Sequence, residues 1–284
     1  MKLCRFLAST GHVAFGLFEG SDFIIDLSNR FRSLGEILEL DDLPARLDAR
    51  NFTHEKRFPL REVKFLAPVD GQEVWGAGVT YLRSKKARMA ESDFSASAYD
   101  RVYQAERPEL FFKSLPEKVV GPHEAVGIRS DATWSVPEPE LALALNSRGK
   151  LVGFTIGNDM SSRDIEGGNL LYLPQAKTYR RSCALGPCIV VGPSEEEARA
   201  WEIHLTIERN GAVVFQGQTS IAQIKRSFSE LAQFLFRCQE FPRGAILLTG
   251  TGIVPPDTFT LQNGDLVRIA ISGIGSLENP VTVV

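Results

Sequence analysis

The sequence predicts a β-rich α+β fold, since its predicted strands outnumber its helices and do not alternate with them as in a doubly wound protein. Asn210-Gly211, a strong hairpin signal, separates two runs of strand-forming residues. The clearest amphipathic helix is predicted to open at Ser220, where a Ser-x-x-Gln capping box precedes apolar residues at spacings of three and four. These observations predict a sheet-based domain with few helices.

The first 66 residues are predicted to form a small N-terminal α+β unit, and residues 67–284 to form the main domain. In the N-terminal unit, a capping box at Ser33 predicts a short helix after three short strands. These strands are expected at Lys2–Leu7, Val13–Phe18 and Asp22–Leu27. A connector containing Pro68 and Gly71 follows them.

The main domain is predicted to combine strands with three helices. Apolar runs bounded by turn residues predict the strands. The strands are expected at Val74–Val79, Glu140–Asn146, Leu151–Gly157, Ile203–Arg209, Ala212–Gln216, Ala245–Leu248 and Leu266–Ile271. Besides the helix that opens at Ser220, helices are expected at Ser84–Glu91 and Ala96–Glu106. No internal repeat interrupts this order, so a single sheet-rich domain is expected.

Composition excludes several classes of partner. The chain has 284 residues, of which 43% are hydrophobic and 24% charged, values typical of a globular protein. A net charge of −3 gives no reason to expect nucleic acid or an anionic membrane as partner. No apolar run reaches the roughly 18 residues of a membrane span, and four cysteines without C-x-x-C spacing indicate reduced thiols. We therefore expect a cytoplasmic protein.

Three acidic residues are the main candidate for a functional site. Glu138 and Glu140 stand two residues apart at the start of a predicted strand, so their side chains point to the same face. Asp159 ends the next predicted strand. Carboxylates that meet in a protein interior must share a proton, meet a cation or hold a metal, and oxygen ligands suit a hard divalent cation such as magnesium. The alternative is a solvated strand edge and an ordinary turn residue.

Prolines on either side of Glu138 indicate where in the sheet this strand begins. Pro137 and Pro139 cannot donate a backbone hydrogen bond to a neighbouring strand. The strand start is therefore expected at the edge or the rim of a sheet, where functional sites tend to form.

Other candidate residues surround this acidic group in the sequence. Lys177 is either a solvated charge or a group that neutralises a substrate oxyanion. Gly250 and Thr251 lie in a Thr-Gly-Thr turn after a strand, which suits either anion binding by backbone amides or an ordinary loop. The four histidines lie near none of these segments, so histidine-ligated zinc and a Ser-His-Asp mechanism are disfavoured.

A strand leads into Tyr81, Arg83 and Ser84. Arg83 is predicted either to bind a substrate carboxylate with two hydrogen bonds or to lie on the surface beside a capping serine.

Seven short motifs, in order, resemble those of the fumarylacetoacetate hydrolase superfamily over most of residues 70–284. They are Pro108-Glu109-Leu110-Phe111-Phe112-Lys113, Glu138-Pro139-Glu140-Leu141-Ala142, Asn158-Asp159-Met160-Ser161-Ser162-Arg163-Asp164, Lys177 before Gly186-Pro187, Thr249-Gly250-Thr251, Asn263-Gly264-Asp265 and Gly273-Ile274-Gly275-Ser276-Leu277-Glu278-Asn279. The resemblance implies a mixed β-roll fold and a homodimer. It also implies a magnesium ion, or manganese or calcium in its place, held by Glu138, Glu140 and Asp159.

One segment departs from the hydrolytic members of this superfamily, whose His–Glu pair activates water. Ser84 stands at the position of that histidine and Ala87 at the position of the glutamate. The segment is similar to a branch that dehydrates 2-keto-3-deoxy sugar acids, such as the arabinonate or the xylonate. Dehydration of a pentonate-type 2-oxo acid is therefore expected. Hydrolytic C–C cleavage of an acylpyruvate and non-catalytic binding of a sugar acid remain the alternatives.

The resemblance also suggests roles for the individual residues. The metal would chelate the substrate's C1 carboxylate and C2 ketone and stabilise the enolate formed when a C3 proton leaves. Lys177, Glu91 and Glu106 are the candidates for proton transfer. The residues predicted to contact the substrate are Tyr81, Arg83, Ser84, Lys113, Gly250 and Thr251.

Overall fold

A computed structural model of the protein describes residues 1–82 and 101–284. Its strands are β1 (Lys2–Leu7), β2 (Val13–Glu19), β3 (Phe23–Asp26), β4 (Arg57–Pro59), β5 (Lys64–Leu66), β6 (Glu73–Gly78), β7 (Glu109–Ser114), β8 (Val126–Ile128), β9 (Ser135–Val136), β10 (Pro139–Leu145), β11 (Leu151–Asp159), β12 (Ser161–Ser162), β13 (Cys183–Val190), β14 (Glu202–Arg209), β15 (Ala212–Ser220), β16 (Ala245–Leu248), β17 (Leu266–Ile271) and β18 (Gly275–Val283). The predicted β-rich α+β class is confirmed.

The helices in the described residues are short. The α-helices are Leu34–Leu38, Leu43–Arg46, Arg163–Gly168, Leu173–Lys177, Glu195–Arg199 and Phe228–Phe236, and the 3-10 helices are Ala49–Phe52, Leu60–Glu62, Pro116–Lys118, Leu170–Tyr172 and Ile221–Gln223. Within residues 1–82 and 101–284, none of the helices has the length and apolarity needed to span a bilayer. The predicted helix Ser84–Glu91 and residues 96–100 of the predicted helix Ala96–Glu106 lie outside the described residues, and residues 101–104 of the latter are helical.

The larger sheet has 11 strands in the order β4-β3-β2-β1-β13-β11-β10-β16-β6-β7, with β5 paired to β1. Strands β1 and β13 pair in antiparallel fashion, with Leu3 opposite Ile189. The strands of the first 66 residues therefore extend the same sheet that carries the predicted metal ligands. Towards the opposite edge of this sheet, β6 (Glu73–Gly78) pairs in parallel with β16 (Ala245–Leu248), although the two strands are far apart in the sequence.

The smaller sheet has the order β15-β14-β17-β18-β8. Its hairpin turns at Asn210 and Gly211, whose φ angles of 53° and 79° are the positive values that a type I′ turn requires. The predicted hairpin is thus confirmed. Side chains of the two sheets share one hydrophobic core, in which Leu141 and Leu143 of β10 lie with Leu205 and Ile207 of β14.

The helix predicted to open at Ser220 begins later in the structure. Ser220 caps only the 3-10 turn Ile221–Gln223, and the α-helix begins at Phe228 after Ser227, whose hydroxyl accepts from the amide of Glu230. The predicted start was wrong because Ile224 forms a β-bridge with Tyr81, and the next amide donates to the carbonyl of Thr80. That backbone is extended, so it cannot continue a helix.

Strand β10 lies in the middle of the large sheet, between β11 and β16. The expected sheet edge at Pro139 was therefore wrong, and the expected rim was right. Pro139 is the first residue of β10, whereas pairing with β16 begins at Ala142 opposite Leu248. The missing proline amide removes no hydrogen bond from that pairing, which is why a proline is tolerated here.

Candidate active site

The ends of two neighbouring strands bring the three acidic side chains together. Pro139 and Glu140 of β10 pair with Asn158 and Gly157 of β11, and the amide of Asp159 donates to the carbonyl of Glu138 at 3.0 Å. One carboxylate oxygen from each of Glu138, Glu140 and Asp159 lies within 4.8 Å of the others. The most exposed of the three, Glu138, has 4% of its surface accessible. The acids form a buried cluster, not the solvated strand edge of the alternative.

Burial makes this cluster electrostatically unfavourable on its own. Burial and then the carboxylates of Asp159 and Glu138 raise the pKa of Glu140 well above its usual range. The amide of Gly250 donates to Glu140 Oε2 at 2.6 Å, which favours the ionised form but does not offset the burial. A cation held between the acids would relieve this repulsion.

Lys177 is the last residue of the helix Leu173–Lys177 and points into the cluster. Its Nζ donates to Glu138 Oε2 at 2.6 Å, Asp159 Oδ2 at 2.8 Å and Ser161 Oγ at 2.6 Å. Only 2% of the residue is exposed, so it is not a solvated charge. Arg163 adds a second cation, 3.3 Å from Glu138 Oε1.

Lys113 approaches the cluster from β7. Its ammonium forms an ion pair with Asp159 Oδ1 and donates to the carbonyls of Met160 at 2.9 Å and Lys177 at 2.5 Å. The residue is completely buried and does not line the cavity in front of the acids. The contacts of this predicted substrate-binding residue are therefore to protein groups.

The Thr249-Gly250-Thr251 turn closes one wall of the site. Gly250 has a φ of +89°, and a Cβ there would lie 2.1 Å from Thr80 Oγ1. Thr80 Oγ1 itself donates to the carbonyl of Thr249 at 2.6 Å, which holds the two segments together. Glycine is thus required both by backbone conformation and by the close approach of Thr80.

A cavity opens in front of the acidic cluster. Its lining consists of Ala77, Gly78, Val79, Glu109, Phe111, Glu138, Glu140, Asp159, Glu166, Leu173, Lys177, Gly250 and Thr251. Of the predicted substrate contacts, Gly250 and Thr251 therefore face this space. Tyr81 does not line it, since its side chain is buried against Gly252, and burial raises the pKa of its hydroxyl.

Two acidic residues of the cavity were missed by the sequence analysis. Glu109 is half-buried at the start of β7, and Glu166 is buried on the helix Arg163–Gly168. Glu109 and Phe111 stand two residues apart on β7, so they share one face, and both line the cavity. The motif Pro108–Lys113 contains Glu109, and this was the signal that would have led from Lys113 to Glu109.

Four predicted site residues remain, three of which lie outside the described part of the chain. Arg83, Ser84 and Glu91 lie outside the described residues. Glu106 is exposed and absent from the cavity lining, and its carbonyl accepts from Arg226 at 3.0 Å.

The donor set fits magnesium. Three carboxylates supply hard oxygen atoms, and their clustering within 4.8 Å allows one small cation to contact all three. Glu138, Glu140 and Asp159 are the residues that would hold it. Burial of these acids also leaves the repulsion around Glu140 that such a cation would remove.

Comparison with known proteins yields matches for both parts of the chain. The family described as Fumarylacetoacetate (FAA) hydrolase C-terminal matches residues 73–282. A second family, described as Rv2993c-like, N-terminal, matches residues 1–68.

Two curated relatives carry dehydratase names. "Probable 2-keto-3-deoxyxylonate dehydratase" of Haloferax volcanii is 49% identical over 217 residues, which are 76% of this chain and 74% of the relative. "2-dehydro-3-deoxy-D-arabinonate dehydratase" of Saccharolobus solfataricus is 37% identical over 289 residues, covering 99% of this chain and 96% of the relative. A solved structure, "2-keto-3-deoxy-D-arabinonate dehydratase complexed with magnesium and 2,5-dioxopentanoate", superposes with a TM-score of 0.81 at 34% identity, covering 100% of this chain and 99% of that one.

Proposed function

Because the chain belongs to the fumarylacetoacetate hydrolase family, we propose that it is a magnesium-dependent dehydratase of a 2-keto-3-deoxy sugar acid of the pentonate type. The single observation that supports this most strongly is the buried carboxylate cluster with Lys177 at its centre, facing one cavity. Dehydratase names on relatives at 37% and 49% identity support the same reaction class.

The reaction removes a proton from C3 and a hydroxyl from C4 of a 2-oxo acid, with release of one water. Magnesium, when bound, supplies positive charge beside the carboxylate and ketone oxygens of the substrate. The other requirements are a fixed positive charge that stabilises negative charge on the substrate, a group that moves a proton and the exclusion of water. Side chains of the protein meet the first two of these requirements.

Lys177 supplies the positive charge. Its ammonium is buried and already bonded to Glu138, Asp159 and Ser161, so its position is set before a substrate arrives. A fixed ammonium beside the cavity stabilises the negative charge that develops on the C2 oxygen when the C3 proton leaves. A solvated lysine would lack this advantage, because water would screen its charge.

Glu109 is our candidate for proton transfer within the described residues. Its side chain lines the cavity and lies against the backbone of Gly78, where a Cβ would come within 2.1 Å of Oε2. A carboxylate at this place accepts the C3 proton and, once protonated, donates to the departing C4 hydroxyl. Glu109 thereby replaces Glu106 as candidate, whereas the role of Glu91 stays a prediction.

Other parts of the interpretation belong to the same proposal. We propose a cytoplasmic homodimer in which manganese or calcium can replace magnesium at Glu138, Glu140 and Asp159. The division into an N-terminal unit of residues 1–66 and a catalytic domain of residues 67–284 also remains a prediction.

The test is an assay of purified protein with magnesium on 2-keto-3-deoxypentonates and on acylpyruvates, followed by mass spectrometry. Loss of one water from a pentonate is the expected result. Fragmentation of an acylpyruvate after gain of water would instead establish C–C hydrolysis, and tight binding without product would establish a binding protein. Glu109→Gln and Glu106→Gln form a matched pair, since both residues are glutamates of one segment but only Glu109 faces the cavity.

A further inference from the structure

Lys113 is an ammonium that has been removed from water completely. Its exposed fraction is 0%, and it lies near the end of β7. A buried lysine of this kind is tolerated only when its charge is paired and its N–H groups are hydrogen-bonded. The partners of Lys113 therefore show what the residue does in the fold.

The partners of Lys113 belong to two segments of the active site. The ammonium pairs with Oδ1 of Asp159, a candidate metal ligand, and donates to the carbonyl of Met160, the residue that follows. It also donates to the carbonyl of Lys177, at the end of the helix Leu173–Lys177. One cation thus joins β7, the end of β11 and the segment that delivers the catalytic lysine.

The two oxygens of Asp159 have separate partners. Oδ1 faces Lys113, whereas Oδ2 accepts from Lys177 at 2.8 Å. The ion pair with Lys113 restricts rotation of the carboxylate, so that Oδ2 stays directed to the cluster. The same ammonium holds the carbonyl of Lys177, which limits movement of that residue's backbone.

We propose that Lys113 is a positioning residue that orients Asp159 for metal binding and fixes the backbone of Lys177, and that it does not bind the substrate. This inference rests on the proposed function, because Asp159 is taken as a ligand of magnesium. Lys113 is absent from the lining of the cavity in front of the acids. It lines a different cavity, together with Thr178 and Tyr179.

A substrate ligand and a positioning residue differ in what their removal changes. Loss of a substrate contact raises KM and leaves magnesium binding of the substrate-free protein unchanged. Loss of a group that orients a metal ligand weakens magnesium binding without any substrate present, typically by about ten-fold to a hundred-fold. Magnesium affinity measured by calorimetry on the substrate-free protein therefore distinguishes the two roles.

The experiment compares wild type, Lys113→Met and Lys113→Gln. The glutamine keeps donors for the two carbonyls but lacks the charge that pairs with Asp159. We expect Kd for magnesium to rise at least about ten-fold in both variants, and kcat to fall while KM changes by less than about three-fold. Lys118→Met is the control, because Lys118 is an exposed lysine of the same segment, and we expect no change there.

Unchanged magnesium affinity in a folded Lys113 variant, with a raised KM, would overturn the inference. If neither variant folds, a crystal structure of the wild type with magnesium and pyruvate decides. The expected structure retains the Lys113–Asp159 pair, and a hydrogen bond from Lys113 to pyruvate would refute it. Wild-type protein that fails to bind magnesium would refute the proposed function, and with it the basis of this inference. If the wild type binds magnesium but dehydrates no substrate, and the Lys113 variants still bind magnesium more weakly, the assigned reaction is refuted and the role of Lys113 stands.

Discussion

The buried carboxylate of Glu140 predicts an unusual pH dependence of stability in the metal-free protein. Burial, Asp159 and Glu138 raise its pKa well above the usual 4.5. Between that value and the raised pKa, the folded protein keeps a proton that the unfolded chain has lost. Folding therefore takes up a proton over this range, and the free energy of unfolding falls as pH rises.

The slope follows from linkage. One proton bound by the folded state alone lowers the free energy of unfolding by about 1.4 kcal/mol for each unit of pH. Magnesium replaces the proton at the cluster, so magnesium binding releases it. The stabilisation by magnesium is consequently expected to increase with pH over the same range.

Urea denaturation of metal-stripped protein at a series of pH values from about pH 5 upward measures this slope. Glu140→Gln removes the titrating group, so the difference between wild type and this variant isolates the contribution of Glu140. Wild type is expected to lose about 1.4 kcal/mol more per pH unit. Glu117→Gln, at an exposed glutamate, is the control and should follow wild type. Parallel curves for wild type and Glu140→Gln would refute the reasoning.

Three further predictions concern other residues. Lys177→Met removes the fixed positive charge and should lower kcat, measured at saturating magnesium, by about a hundred-fold or more; an unchanged kcat in steady-state kinetics would remove Lys177 from the reaction. Glu109→Gln should lower kcat by about 10² to 10⁴ with little change in KM, and a variant as active as wild type would remove Glu109 from proton transfer. Gly250→Ala forces a side chain towards Thr80 at a φ of +89°, so urea denaturation should show a loss of about 1 to 3 kcal/mol.

Structure was needed for every feature that depends on a distant segment. The helix after Ser220 had the spacing and the capping box of an earlier start, but Tyr81 pairs with Ile224 and keeps that backbone extended. Lys113 had the sequence context of a substrate ligand, but it is buried behind Asp159. Nothing in the local sequence shows that Tyr81 meets Ile224 or that Lys113 meets Asp159.

The sequence by itself determined the acidic cluster and the class of fold. Glu138 and Glu140 share a face because strand side chains repeat every two residues, and this rule holds wherever the strand lies. Only the tertiary structure decided that Lys177 contacts Glu138 and Asp159, that Lys113 pairs with Asp159, and that Glu109 lines the same cavity. The physical reason is that periodicity is a property of one segment, whereas burial and charge pairing depend on how segments far apart in the chain pack together.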